Sequence, residues 1–315
     1  MKGRLSFHIG AVQHVYQKHY CGYVIFYSVK DCLVFFTMFS ITARRFGVRV
    51  LGLCIMVDHI HVLVDVPDRG LLGDFVRYYT SWFSREYNSW HGLQGQLFKR
   101  PFGVASKSGS KSIRSAIAYL YNNPVEKQLC DRPEQSMWNF LAYGASKNPF
   151  SEPLKMDKAS ASLRHAVQVV KYLRSLEEPI SYIQLSNMLN TLNRKEKMQL
   201  SEYIIRTYNC IDYEAVVGYF GGYDEMVAAI NTTKGSEYSI KEDFVSGSDK
   251  IYSKMTNFLL KSNVFESIDA LLRLPDEKRF ELFEPLAIYT GASSKKVAKY
   301  LHINLEDNTL VDRIL

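Results

Sequence analysis

His59 and His61 stand one residue apart in the run Val57-Asp58-His59-Ile60-His61-Val62-Leu63-Val64. Apolar and β-branched residues dominate this run and no Gly or Pro interrupts it, so it reads as a β-strand. Side chains alternate faces along a strand. Both imidazoles therefore project the same way, and Ile60, Val62 and Val64 project the other way into a core. Two imidazoles on one strand face are half of a divalent metal site. A His-x-His pair also arises on purely structural strands, so its meaning depends on which further donors the chain supplies.

A second chemical group lies in Lys111 to Pro124. Ile113, Ala116, Ile117 and Leu120 have helical spacing, with Ser112 as the expected N-cap and Pro124 as the expected end. Tyr119 and Asn123 are four residues apart and share a face of that helix. The Asn amide oxygen is a suitable hard ligand for a divalent ion, and the phenol is a candidate nucleophile. Tyr121 lies about 200° around the helix from Tyr119 and reads as packing.

Other elements must bring these groups together. Residues 11–18 alternate like a strand, with Val12, His14 and Tyr16 on one face; His14 reads as a hydrogen-bonded sheet histidine, with a place near a site as the alternative. Residues 20–29 suggest a second strand, 31–46 a helix with Asp31 near its start, and 48–56 a further strand. After the turn Pro67-Asp68-Arg69-Gly70 comes a helix from about Leu71 to Trp90. Most of its rings read as a core stripe, whereas Arg77 and Arg85 suit solvent or phosphate. His91 to Ser110 is rich in Gly, Lys and Ser and reads as a mobile basic loop. Lys99, Arg100 and Lys107 from this loop, with Lys111 and Arg114 beyond it, join Arg77 and Arg85 as candidate nucleic-acid contacts.

Charge is unevenly placed. Residues 1–150 hold 18 Lys and Arg against 9 Asp and Glu, while residues 151–315 hold 21 against 23. The excess positive charge thus lies in the half with the His pair, which favours a polyanionic partner there. At 315 residues two domains are expected. No apolar run is long enough for a membrane span, and the first residues lack the apolar stretch of a signal peptide. Five scattered Cys with no Cys-x-x-Cys read as reduced thiols of a cytoplasmic protein.

The combination resembles a known family. Met56-Val57-Asp58-His59-Ile60-His61-Val62-Leu63-Val64, the aromatic and basic helix, Gly95-Gln96-Leu97-Phe98, Tyr119 to Asn123-Pro124 and Met137-Trp138-Asn139-Phe140 follow in order. Together they are similar to the HUH single-tyrosine transposases, especially the REP-associated tyrosine transposases of bacteria, over roughly residues 8–145. Phe98 stands where that family usually has Trp, and Asp58 where it often has Asn; neither is expected to touch the chemistry.

The resemblance implies an α+β fold: a ferredoxin-like catalytic domain with a central antiparallel sheet over 1–148. It implies that His59, His61 and Asn123 bind Mg²⁺ or Mn²⁺ and that Tyr119 is the nucleophile. The implied reaction is cleavage and rejoining of single-stranded DNA beside hairpins, through a 5′-phosphotyrosine. The alternative is a catalytically inactive, hairpin-binding repressor or structural protein. A replication initiator with its own helicase is disfavoured, because no Gly-x-x-x-x-Gly-Lys-Ser/Thr loop is present. A plain metal-dependent phosphodiesterase would leave no protein–DNA adduct. The working unit is expected to be a monomer or homodimer.

Residues 145–157 read as a linker. From 159 the pattern is helical, with helices expected over 251–263, 264–274 and 276–289 and a polar loop over 232–249. This gives an all-α C-terminal domain over 159–315 that carries at 290–315 a helix-turn-helix or, as the alternative, a helical module for protein contacts or self-association. Asn304 to Ile314 would be its second helix, and Glu306, Asp307 and Asp312 make that helix a poor phosphate surface.

Overall fold

Alternating apolar residues build the strands and apolar stripes at helical spacing build the helices that cover them. The computed structural model describes residues 7–233, 248–262, 265 and 267–305. The first elements are β1 (Val12–Lys18), α1 (Val29–Arg45), β2 (Arg49–Ile55), β3 (His59–Asp65), α2 (Arg69–His91), β4 (Gly103–Lys107) and α3 (Ser110–Glu126). The sheet order is β2-β3-β1-β4, with every neighbouring pair antiparallel. The fold is therefore of the α+β class.

The two faces of the sheet have different cover. Val15, Ile60, Val62 and Val64 pack with Phe35 and Phe39 of α1 and Phe75 and Phe83 of α2. Val12 and Leu63 pack on the other side with Ile113, Ile117 and Leu120 of α3. The alternation along β3 thus sends its histidines toward α3.

Three local expectations change. Residues 20–28 form no strand; the Ile25 and Phe26 amides both donate to the Val57 carbonyl, at 2.8 and 3.0 Å. Those amides find a partner outside any ladder, so the alternation reflects packing and not pairing. The basic stretch after His91, expected as a mobile loop, contains β4, which pairs with β1. Its five residues, Gly, Val, Ala, Ser and Lys, are too few and mostly too small to show a pattern, and the open edge of β1 supplies their partners. Gly103 of β4 lies opposite Tyr16, and a Cβ there would come within 1.9 Å of the Tyr16 ring, so close approach demands glycine. Finally, α3 is capped at Gly109 and runs through Pro124 to Glu126. Proline so close to the end removes only one helical N–H.

The helix α1 begins with a capping box. Ser28 accepts from the Asp31 amide, and the Asp31 carboxylate returns to the Ser28 amide at 2.8 Å. Buried Asp31 also accepts from His91 Nε2 at 3.2 Å and from the Tyr182 hydroxyl at 2.7 Å.

Beyond residue 157 the helices are α4 (Ala161–Ser175), α5 (Tyr182–Asn190), α6 (Arg194–Tyr208), α7 (Tyr213–Gly218) and α8 (Tyr223–Thr232). They continue with α9 (Lys250–Lys261), α10 (Asp276–Glu281), α11 (Phe283–Thr290) and α12 (Ser294–Leu301). A single helix over 276–289 is not seen. Pro285 cannot continue a helix across residue 281, so the chain breaks at Leu282. Ile268–Arg273 is a 3-10 turn and not a full helix. The polar stretch expected as a loop at 232–249 falls mostly outside the described residues, as does most of the second helix of the expected helix-turn-helix.

Among the described residues the later helices join three apolar clusters, each of which also takes in residues before 148. Leu163, Val170, Leu185 and Ile204 of α4 to α6 share a core with α1. Val216, Met226 and Ile230 of α7 and α8 join the α3 side of the sheet. Tyr252, Met255, Leu286, Tyr300 and Leu301 gather around Val24. The stretch after Gly144 is tied down as well: the Phe150 amide donates to Glu202 Oε1 at 2.8 Å. No described helix is long and apolar enough to cross a membrane, and all five cysteines are free.

Candidate active site

β3 and α3 bring the expected groups to one place. His59 and His61 are both buried, with ring centroids 4.9 Å apart and planes at 89°. Tyr119 of α3 is buried too, and its ring meets that of His61 edge-on, 5.4 Å between centroids. Asn123 stands one helical turn further on. Its amide nitrogen donates to the Tyr119 carbonyl at 2.9 Å, and its side chain hydrogen-bonds His61. Burial pushes the His61 pKa well below its ordinary value, with the neighbouring His59 and Lys18 acting the same way. A buried neutral imidazole is the form that a metal ion requires.

Each histidine is oriented by a further side chain through its Nδ1. His14 Nε2 lies 3.0 Å from His61 Nδ1, with the two rings stacked at 5.2 Å. His14 also meets the Tyr119 ring edge-on at 5.7 Å. The expectation of a hydrogen-bonded sheet histidine is thus met, and its partner is a candidate site residue. Asp58 Oδ1 lies 2.5 Å from His59 Nδ1, so the expectation that position 58 does not touch the site is corrected. The reason is geometric. Asp58 ends the turn before β3, where its side chain can fold back on the next residue. Burial alone would raise the Asp58 pKa, but His59 and the Lys299 ammonium hold it well below the carboxylate range.

The donor set fits a hard divalent ion. Were His59 to hold a metal, its Nδ1 contact with Asp58 would direct Nε2 to the ion, and a carboxylate behind a ligating imidazole is a usual support. Among the described residues no three His, Cys, Asp or Glu side chains gather as a metal group. The Asn123 side chain, bonded to His61, is an amide donor beside the two histidines.

The helix α3 is held firmly. Asn122 donates to the Ile230 carbonyl at 2.6 Å, and Asn139 donates to the Tyr121 carbonyl at 3.0 Å. Tyr121 is fully buried away from the histidines, and burial raises its pKa. Sequence reasoning missed Asn139, although it singled out the segment carrying it.

The candidate nucleic-acid contacts are spread over α2, the 99–107 segment and α3. Arg77, Arg85, Lys99, Arg100, Lys111 and Arg114 are exposed, while Lys107 is buried at the end of β4. Arg77 pairs with Asp74 at 2.7 Å, and the Arg114 guanidinium lies 5.4 Å from the Phe220 ring centroid. Arg85 and Arg100 line one cleft of about 250 Å³ with Gln17 and Gln96, between α2 and the 95–100 segment.

Comparison with known proteins adds one finding. No curated protein and no solved structure matches the chain. A family model does match residues 24–123, from the Val24 that meets α12 to the Asn123 beside His61. The segment that carries both histidines, Tyr119 and Asn123 is similar to the family described as transposase IS200 like, which supports a DNA-processing transposase.

Proposed function

We propose that this protein is a metal-dependent single-stranded DNA endonuclease and strand transferase that acts beside DNA hairpins. The observation that carries the reading is the meeting of Tyr119, His61 and Asn123 across the β3–α3 interface, with His59 adjacent. The β-α-β-β-α-β order and strand order β2-β3-β1-β4 support a ferredoxin-like catalytic segment over 1–148, followed by a helical segment over 159–315.

In this reading His59, His61 and Asn123 hold Mg²⁺ or Mn²⁺, which when bound supplies Lewis-acid stabilisation to a phosphate oxygen. Tyr119 supplies the nucleophile. Its Oη forms a bond to phosphorus as the phenol proton departs, and the P–O3′ bond breaks to leave a 3′-OH and a 5′-phosphotyrosine. The ester retains the bond energy, so a second 3′-OH can reverse the step and join strands. His14 and Asp58 hold the imidazoles in one orientation, so that little reorganisation is needed at the moment of reaction. Exposed Arg and Lys side chains of 77–114 pair with the DNA backbone.

The test is covalent trapping. End-labelled hairpin DNA is incubated with the protein and Mn²⁺ or Mg²⁺ and run on a denaturing gel. A protein–DNA band that disappears with chelator is expected. Binding without any adduct would replace this reading with that of a hairpin-binding repressor, and cleavage without an adduct would indicate a phosphodiesterase.

A further inference from the structure

Asp58 commits both carboxylate oxygens. Oδ1 meets His59 Nδ1 at 2.5 Å, and Oδ2 meets Lys299 Nζ at 2.5 Å. The two side chains of that ion pair are largely buried, 15% exposed for Asp58 and 23% for Lys299. Lys299 comes from α12, 241 positions along the chain and beyond the segment similar to transposases.

Lys299 is not a loose surface cation. Its carbonyl accepts the Val24 amide at 3.2 Å, and its ammonium lies 5.7 Å from the Tyr252 ring centroid. His302, just past α12, bonds the Val24 carbonyl at 2.7 Å. Ala298, Tyr300 and Leu301 are buried in one cluster with Val24, and Val57 packs against it. The last turn of α12 is thus docked on the residues next to β3 by both backbone and apolar contacts.

An imidazole that gives its Nδ1–H to a carboxylate is fixed in the tautomer whose lone pair is on Nε2. The carboxylate can fix it only while its own rotation is restrained. A cation on the other oxygen supplies that restraint and balances the buried charge.

We propose that Lys299 is a positioning residue of the active site: through Asp58 it sets the tautomer and orientation of His59. The consequence for metal affinity rests on the reading of His59 as a ligand, but the link from Lys299 to His59 does not.

The experiment uses the full chain with ¹⁵N-labelled histidine. The His59 tautomer is read by long-range ¹H–¹⁵N spectra at alkaline pH, and binding of Mn²⁺ alone is read by titration. In the wild type His59 carries its proton on Nδ1. Lys299→Met loses this single tautomer and weakens Mn²⁺ binding by about 10- to 100-fold, while Lys299→Arg keeps both. In an Asp58→Asn background Lys299→Met has no further effect, because Lys299 acts only through Asp58.

A wild-type tautomer and wild-type Mn²⁺ affinity in Lys299→Met overturn the proposal. So does a further loss in the Asp58→Asn background as large as in the wild type. Should Lys299→Met not fold, Asp58→Asn decides, since it leaves the α12 contacts with Val24 and Tyr252 in place; an unchanged His59 tautomer there overturns the link. A protein that shows the expected tautomer changes yet binds no Mn²⁺ upholds the link and refutes the metal reading instead.

Discussion

The Tyr119 ring stands edge-on to the His61 ring, with centroids 5.4 Å apart and planes at 83°. One comes from the middle of a helix and the other from the middle of a strand, so the pair exists only while α3 lies flat on β3. Gly52 of β2 permits that approach: a Cβ there would press on Leu120 of α3 at 3.3 Å.

Tyr119 and Tyr121 should separate cleanly. Tyr119→Phe abolishes the covalent adduct and leaves hairpin binding intact, because only the nucleophilic oxygen is removed. Tyr121→Phe keeps the adduct, since its hydroxyl is buried on the other side of α3. Denaturing gels and mobility shifts on both variants measure this; an adduct in Tyr119→Phe would mean another nucleophile.

His14→Ala should destabilise the fold by about 1–3 kcal/mol, the usual cost of leaving a buried polar partner unsatisfied. The partner is His61 Nδ1, 3.0 Å away in a fully buried setting. Urea denaturation gives the number, and a change below the error of the fit would show that the pair contributes nothing.

Tyr182→Phe removes the 2.7 Å hydrogen bond from α5 to Asp31 at the start of α1. Burial would raise the Asp31 pKa, but His91, Tyr182 and Ser28 together lower it, so the acceptor is a charged carboxylate. Loss of a hydrogen bond to a charged group costs roughly 1.5–3 kcal/mol. A urea midpoint equal to the wild type would mean that α5 is not coupled to α1 through Asp31.

Acid should weaken the docking of α12 on the segment after β1. Burial lowers the His302 pKa to about 3 and the His19 pKa to about 4. Both lie below the unfolded value near ~6.5, so the unfolded chain binds more protons between these limits. The stabilisation is fully present above about pH 6.5 and declines as pH falls toward about 4, by roughly 1.4 kcal/mol per pH unit for each histidine. His302→Asn keeps a residue tolerant of the left-handed backbone at φ 56 and should halve that slope. Denaturation midpoints from pH 7.5 to 4.5 measure it; equal slopes in both proteins would exclude His302 as a contributor.

Arg85 and Arg100 share one cleft, so replacing both with Ala tests whether it faces the DNA backbone. Each cation that pairs with a phosphate of a single strand adds about 0.7 to the slope of log affinity against log salt. The double variant should therefore have a slope shallower by about 1.4. An unchanged slope would place the DNA elsewhere.

What the sequence determined by itself is local. The alternation through His59 and His61, and the four-residue spacing of Tyr119 and Asn123, follow from the periods of a strand and a helix. Each period places its side chains without help from distant residues. The strand β4 was not legible, because its five residues, mostly small, become a strand only when β1 offers an edge. His14 was legible as a sheet histidine, but its partner His61 depends on the β1–β3 register, and the role of Asp58 depends on a lysine 241 positions along the chain. The helical pattern after residue 159 was visible, but not that α4 to α6 would cover α1 while α7 and α8 cover α3. An apolar stripe states that a helix must be covered and leaves open by what. That choice belongs to tertiary packing, which here brings α12 against the residues beside His59.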